Sequence, residues 1–293
     1  MVTRALLDKK PDARRLRART RNVYTSDLLL RIYVGAVLLF IFSPQLIVFI
    51  TSISSTSVIT FPPPGVSLRW FEKLFGHLIN APGLKPQLAA SILFSLRLAA
   101  TVTVLALICG VSAALALHRH QFPGKNVYRQ LVLLPMIFPQ IVNGVSLLIL
   151  FSTLRVFSAF ERILIGHVLV TLPLVIVAVG SSVEVYEEEV EEAARGLGAG
   201  PMQVLVRITL PLIMPGIIAG AVLAFISSLT QFTLSYFLYS GESKPLPIWL
   251  LEYIETFFDP TIAAISTCLI FVALLVAFIV DRIIGIERIF AKR

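Results

Sequence analysis

Six stretches of the chain run almost free of charge: 32–54, 90–117, 130–152, 163–183, 212–238 and 262–283. About twenty apolar helical residues, at 1.5 Å each, match the ~30 Å hydrocarbon core of a bilayer. Each stretch therefore predicts a membrane-spanning helix. The first, second and fifth are long enough to tilt or to carry a turn beyond the hydrocarbon. Between the fourth and fifth lies a polar island, Glu184 to Pro211, where Glu184, Glu187, Glu188, Glu189, Glu191 and Glu192 crowd together. Unpaired carboxylates do not sit in hydrocarbon, so the island is predicted outside the bilayer or against another protein. The expected fold is all-α: a polytopic membrane protein with six transmembrane helices.

Composition agrees with this pattern. Hydrophobic residues make up 57% and charged residues 14%, against about 25% charged in soluble domains, and the mean hydropathy is +0.87. Six spans leave no room for a soluble catalytic domain. The first run follows 31 residues of polar character, is too long for a signal-peptide core and lacks a small-residue cleavage motif after it, so it is expected to be a retained span.

Lysine and arginine set the orientation. With the N-terminus inside, inner segments carry nine (1–31), three (118–129), two (184–210) and four (282–293). Outer loops carry three (55–89), two (153–162) and one (239–261), and Arg97 lies within the second span. That bias predicts both termini and the island in the cytoplasm. The chain then divides into a basic, mobile tail (1–31), a first span with its external loop (32–89), a five-helix core (90–283) containing the island 184–211, and a C-terminal tail (284–293). The net charge of +8 resides mainly in Arg14, Arg15, Arg17, Arg19 and Arg21, a juxtamembrane cluster suited to anionic lipid headgroups rather than to nucleic acid. Cys109 and Cys268 fall inside spans and are expected to be buried small hydrophobes.

Helix breakers interrupt several spans. Span 3 holds Pro135 and Pro139, then Gln140 and Asn143; span 4 holds His167 and Pro173; span 5 holds Pro215, Gly216, Gly220, Ser227, Ser228, Thr230, Gln231, Thr233 and Ser235. Broken helices in hydrocarbon bury their freed backbone groups in protein or in a wet cavity. One reading makes Gln140, Asn143 and Gln231 the lining of a path for a polar solute; the other makes such residues packing glue between helices, which suits Gly216 and Gly220. Arg97 reads as a snorkelling side chain or as a gating contact. In the external loop, Phe61 to Gly65 is stiff and non-helical, and Ser67 to Leu78 predicts a short surface helix. The 239–261 loop sets Glu242, Glu252, Glu255 and Asp259 against Lys244 alone, a weakly negative outer surface or ordinary solvation.

No span carries a carboxylate at its middle, which argues against a proton relay. The chain has no phosphate-binding glycine loop and no metal-ligand cluster, and His118 and His120, two apart on a helix, share no face. No catalytic residue, metal or cofactor is expected. The island itself reads as two short helices around a corner. Glutamates suit the first helix's N-terminus, Gly196 and Gly198 its end, and Pro201 the first turn of the next. Val204, Leu205 and Ile208 form an apolar stripe after it. Ala193 and Ala194 leave a bare patch beside Glu192, suited to docking in a groove, although a solvated loop would read similarly.

The spacing E-A-A, three residues, G, nine residues, I-x-L-P resembles the signature loop of the permease subunits of binding-protein-dependent ABC importers. It matches here as Glu192, Ala193, Ala194, Gly198, Ile208, Leu210 and Pro211, with the likeness covering about 85–285. The resemblance implies alternating access driven by ATP hydrolysis on a separate subunit into which this loop docks. It implies as partners a pair of ATP-binding subunits, a second and different permease, and a periplasmic or extracellular solute-binding protein, in a bacterial cytoplasmic (inner) membrane. The Glu187-Glu188-Glu189 run departs from many relatives and bears on the rim of that contact. FPPPGVSLRWFEKLF at 61–75 and GPMQVLVRITLPLIMPGIIAGAVLAF at 200–225 resemble the C-type permeases of spermidine/putrescine importers. The implied solute is a polyamine, with iron, thiamine or another small solute as alternatives. A secondary carrier would not need the docking loop and would more often show inverted repeats; an intramembrane enzyme or a scaffold fits less well still.

Overall fold

The computed structural model describes residues 13–79, 85–155, 157–185, 189–241 and 244–284, with side chains over 28–75, 87–155, 157–185, 189–241 and 244–275. The arginine cluster's side chains, Glu187, Glu188, Glu242 and the tail from 285 lie outside these. Among the described residues the architecture is helical, with one isolated bridge between Ser54 and Val66.

Helix α1 (Ala13–Ser52) is continuous, so the segment expected as a mobile tail is helical from Ala13 onward. No glycine or proline interrupts its first turns. Pro44 sits in its interior and cannot donate to the carbonyl of Phe40, four residues back. Ser43 Oγ donates to that oxygen instead, at 2.8 Å. Helix α2 (Arg69–Ile79) is the predicted surface helix, anchored by buried Trp70, whose Nε1 donates to the Ser54 carbonyl at 2.7 Å. Helix α3 (Lys85–Arg119) is the second span.

The third span, expected over 130–152 with breakers at Pro135 and Pro139, consists of two helices. Helix α4 (Lys125–Ile137) and helix α5 (Gln140–Leu154) meet at 103°. The cause is Pro139, whose missing N–H leaves the Pro135 carbonyl without its helical donor. Asn143 Nδ2 supplies one across the corner at 2.9 Å. Helix α6 (Ala159–Val185) opens on a reciprocal cap: Glu161 Oε2 accepts from the Ser158 N–H at 2.7 Å while Ser158 Oγ accepts from the Glu161 N–H at 3.3 Å.

The island follows as α7 (Glu189–Gly196), α8 (Pro201–Val204), a π-helical turn at Leu205–Thr209 and α9 (Leu210–Leu212). The fifth span is α10 (Met214–Leu229), an interruption at 230–232, and α11 (Thr233–Leu238). The segment Pro201–Leu212 leans against α10 at 67°. The loop expected over 239–261 contains a further helix, α12 (Leu246–Thr256), before the last span, α13 (Thr261–Ile284).

Helices α3, α6 and α10 form the centre of the bundle, meeting through Ala106, Ala114, Val175, Val179 and Ala224. Their backbones come close because small residues face the contact. A methyl group at Gly216 would strike Ser182 and the Ala178 carbonyl, and one at Gly220 would press on Val175 at 3.3 Å. Both glycines therefore serve packing. A second cluster, including Leu98, Phe151, Ile163 and Leu234, ties α5 and α11 to this core. A third joins α2, α12 and α13 through Leu74, Trp249, Tyr253 and Ile265.

Three helical segments are long and apolar enough to cross a membrane, and five when each bent pair is taken as one span; Thr261–Leu275 is a shorter apolar helix among the described residues. Large apolar side chains lie open along α1, among them Phe40 at 80%. Hydrocarbon accommodates such a surface and water does not. Cys109 also lies on this outer surface rather than in the core, while Cys268 is half-buried, because the face of α3 bearing Cys109 and exposed Ile108 turns away from α6 and α10.

Candidate functional site

The end of the bundle formed by α7, α8 and the last turn of α3 gathers most of the sequence-predicted site residues. Helix α7 places Glu189, Glu191 and Glu192 in its first turn and Arg195 in its last, matching the charges to the helix dipole. It stops as the glycines predict. The Ala199 N–H reaches the Ala194 carbonyl and the Gly198 N–H the Arg195 carbonyl, both at 3.0 Å, with Gly198 at φ +90°. This is a Schellman closure with glycine at the left-handed position. A Cβ at Gly198 would touch nothing within the chain, so its conformation, not crowding, selects glycine there.

The chain restarts at Gly200, whose N–H donates to Gln203 Oε1 at 3.1 Å, with Pro201 in the first turn. Val204 is buried, and Leu205 and Ile208 are half-buried, forming the predicted stripe. The helix then widens, the Leu210 N–H bonding the Leu205 carbonyl five residues back. Pro211 follows and cannot donate in the ordinary register, a setting in which a π-turn relieves the ladder. Ile208, Leu210 and Pro211 thus lie on the stretch that joins the corner to α10.

Glu191, which sequence reasoning passed over in favour of Glu192, is the polar centre of this end. Its side chain is 5% exposed. One carboxylate oxygen pairs with Arg119 Nη1 and accepts from Thr209 Oγ1; the other receives Arg195 Nη2 at 3.2 Å. Three elements therefore meet on one carboxylate: α3, α7 through both its ends, and the π-turn. Breaking such a buried pair by removing one partner costs about 3–5 kcal/mol. A cavity of about 400 Å³ opens beside it, among Arg119, His120, Glu192 and Arg195. A second stitch runs from His118 Nδ1 to Glu184 Oε1, at 3.5 Å, holding α3 to α6.

Around that fixed centre the outward face is uncovered. Glu192 and Ala193 are exposed and Ala194 is half-buried. Leu197 at the corner is 91% exposed and Met202 across it 69%. Isolated apolar residues on a surface are unremarkable, but two at the tip of one turn form a small exposed apolar face.

The three candidate path residues have different surroundings. Gln140 is exposed at the start of α5. The Asn143 amide is engaged with Pro135, as described above. Gln231 lies in the interruption of span 5, is 7% exposed, and its Nε2 has no hydrogen-bond partner among the described residues. His167 is fully buried between Ser228 Oγ, 2.9 Å from Nδ1, and Ser235 Oγ, 3.0 Å from Nε2. Arg97 stacks its guanidinium over Phe160 at 5.2 Å, an amphipathic side chain resting on an aromatic ring.

At the opposite end of α3, two of the four carboxylates read as a weakly negative surface or ordinary solvation are in ion pairs. Lys244 Nζ meets Glu252 at 2.8 Å and Lys73 Nζ meets Asp259 at 2.6 Å. Burial alone would raise the Asp259 carboxyl, but hydrogen bonds from Lys73 and Thr261 outweigh it and hold the group below its ordinary value. Burial would likewise lower Lys73, and its bond to Asp259 reverses that. The excess of carboxylates counted along the loop is thus partly offset by folding, since Lys73 comes from a distant segment.

Residues 106–286 match the family described as the binding-protein-dependent transport system inner membrane component. The chain is 31% identical to the spermidine/putrescine transport system permease protein PotC of Haemophilus influenzae over 72% of its length and 79% of that protein's. It is 31% identical to the putrescine transport system permease protein PotI of Escherichia coli, over 82% and 85%. It is 30% identical to the molybdenum transport system permease protein ModB of Mycobacterium bovis, over 78% and 90%. A chain of a bacterial ABC transporter involved in import of the acidic polysaccharide alginate superposes with a TM-score of 0.69 at 20% identity, covering 89% of this chain and 97% of that one. That likeness concerns the fold.

Proposed function

This chain belongs to the family of binding-protein-dependent transport system inner membrane components, as a permease component of an ABC importer, and we propose that its α7–α8 corner docks on a separate ATP-hydrolysing subunit. The observation that carries this is the contrast at that corner: an uncovered tip, with Leu197 91% exposed, on a base locked by buried Glu191. A rigid base transmits a displacement; an open apolar tip accepts a partner. Glu192, Ala193, Ala194 and Gly198 are the contact, with Gly198 leaving its open side for the partner's surface. Ile208, Leu210 and Pro211 carry the motion into α10. Closure of a pair of ATP-binding subunits then switches the membrane helices between outward-facing and inward-facing states.

The permease crosses a bacterial inner membrane six times with both termini in the cytoplasm, counting α1, α3, the bent pair α4–α5, α6, α10–α11 and α13. The lysine and arginine bias supports this orientation. A second, different permease completes the path, and an external binding protein delivers the solute. The solute is a small polyamine, as in the names of two relatives. The molybdenum relative, about as similar, favours a second reading in which the same frame carries a different small solute.

The test joins insertion to transport. Gly198→Trp should insert at normal levels yet abolish uptake of labelled putrescine, and a cysteine at Ala193 should cross-link to the ATP-binding subunit. Normal uptake in Gly198→Trp would sink the docking assignment.

A further inference from the structure

The interruption of span 5 is bridged by one side chain from another helix. His167 of α6 contacts Ser228, before the gap, and Ser235, after it. The protons on this chain can be placed. Ser235 Oγ lies 2.6 Å from the Gln231 carbonyl oxygen, and a carbonyl can only accept, so the single hydroxyl proton of Ser235 is spent there. Ser235 must then accept from His167, which puts a proton on Nε2. A neutral imidazole has one N–H, so Nδ1 is bare and accepts from Ser228. No Asp or Glu occurs in 163–183 or 212–238, so nothing in either span would balance an imidazolium in this buried place. The result is a directed relay: Ser228 to His167 to Ser235 to the backbone of Gln231.

We propose that His167 is a positioning residue for the solute path, and that through this relay it fixes Gln231 as a solute-contacting carboxamide. The relay ends on the backbone of Gln231, which pins the residue at the gap. The side chain is 7% exposed and its Nε2 has no acceptor among the described residues, so the amide is held in place without being consumed. A carboxamide presents an oxygen as well as an N–H₂ group, and rotation exchanges them. It can therefore accept from an ammonium or donate to an oxygen of a small polar solute. A merely structural histidine would have no reason to terminate on the one residue at the gap whose amide is left over.

The probe is labelled putrescine, a choice that rests on the polyamine reading above. In the assembled transporter His167→Ala and Gln231→Ala should each raise the KM for uptake about tenfold, the effect of losing one net hydrogen bond. Their double variant should be no worse, since both remove one contact. His167→Gln, which keeps an acceptor and a donor, should return the KM to within about threefold of the parent. An unchanged KM in His167→Ala, or multiplied effects in the double variant, would overturn the proposal. Nitrogen-15 spectra of the histidine-labelled complex in lipid, with His167→Gln assigning the signal, should show the Nε2–H tautomer. A proton on Nδ1 overturns the relay. If the parent does not carry putrescine, the polyamine reading fails alone and this spectrum still decides the clasp.

Discussion

Two buried polar clusters fasten helices of this permease, and they are built from opposite chemistry. At the α7 end, Glu191 gathers Arg119, Arg195 and Thr209 into a charged knot. Within the span, His167 joins Ser228 and Ser235 without charge. Both fasten separate helices, yet the solvents nearby differ. The knot borders an open, polar cavity of about 400 Å³, where water shares the cost of holding ions. The clasp lies among apolar spans, where an unbalanced ion costs several kcal/mol. The lesson is that the depth of a fastening determines whether it can use charge.

Removing charge from the knot should give the largest effect. Glu191→Ala leaves Arg119 without its carboxylate and should destabilise the protein by about 3–5 kcal/mol, read as a loss of thermal stability in lipid. Glu191→Asp should restore part of it, whereas Ser228→Ala in the clasp should cost only about 1–2 kcal/mol, because one neutral hydrogen bond is lost. Equal losses at the two sites would break the distinction between charged and neutral fastening.

Asn143→Ala comes next. It strands the Pro135 carbonyl at the α4–α5 corner and should cost about 1–3 kcal/mol, measured by the same thermal assay. Restoring the backbone donor with Pro139→Ala should make the asparagine dispensable. A Gly198→Ala change should cost about 1–2 kcal/mol from its left-handed backbone alone, since no neighbour meets the added methyl. A larger loss would show that the corner is crowded in the folded chain.

The smallest effect belongs to Lys73–Asp259, which fastens the other end of α3's bundle at the surface. Asp259 has a depressed folded pKa, so its contribution is present above the ordinary carboxylate value, about 4, and is lost as pH falls through the folded value. Lys73 has a raised one, so its contribution is full below about 10.5 and is lost as pH rises through the folded value. Lys73→Met should therefore change stability by less than about 1 kcal/mol between those limits, and the difference from the parent should shrink in strong acid. A half-buried pair at the rim of the bundle behaves as neither the Glu191 knot nor the His167 contact.

Much of the site was legible locally. The α7 stop at Gly196, the left-handed Gly198 and Pro201 at the next helix start all follow from backbone preferences read over a few residues. Hydrophobic length located the apolar helices, of which three, or five when each bent pair is joined, are long enough to cross a membrane among the described residues. The bends did not follow from it, because proline marks where a donor is missing but not how far the chain then turns. Glu191 was hidden for a different reason: Arg119 and Thr209, its partners, are 72 and 18 residues away along the chain. The glutamate run draws attention to itself by number, while only folding distinguishes the buried member from its neighbours. His167 is hidden in the same way, since its partners Ser228 and Ser235 are 61 and 68 residues away along the chain. The weakly negative surface read from the loop omits Lys73, which reaches Asp259 from α2.

The corner between α4 and α5 has a mechanical consequence. A bend that breaks a hydrogen bond is a soft joint, because straightening regains the bond. Here Asn143 has already replaced what Pro139 withholds, so straightening regains nothing and would cost the amide its partner. The 103° elbow is a bracket and not a hinge. In the alternating-access cycle proposed above, α4 and α5 should travel as one angled body, with the flexing at their outer ends.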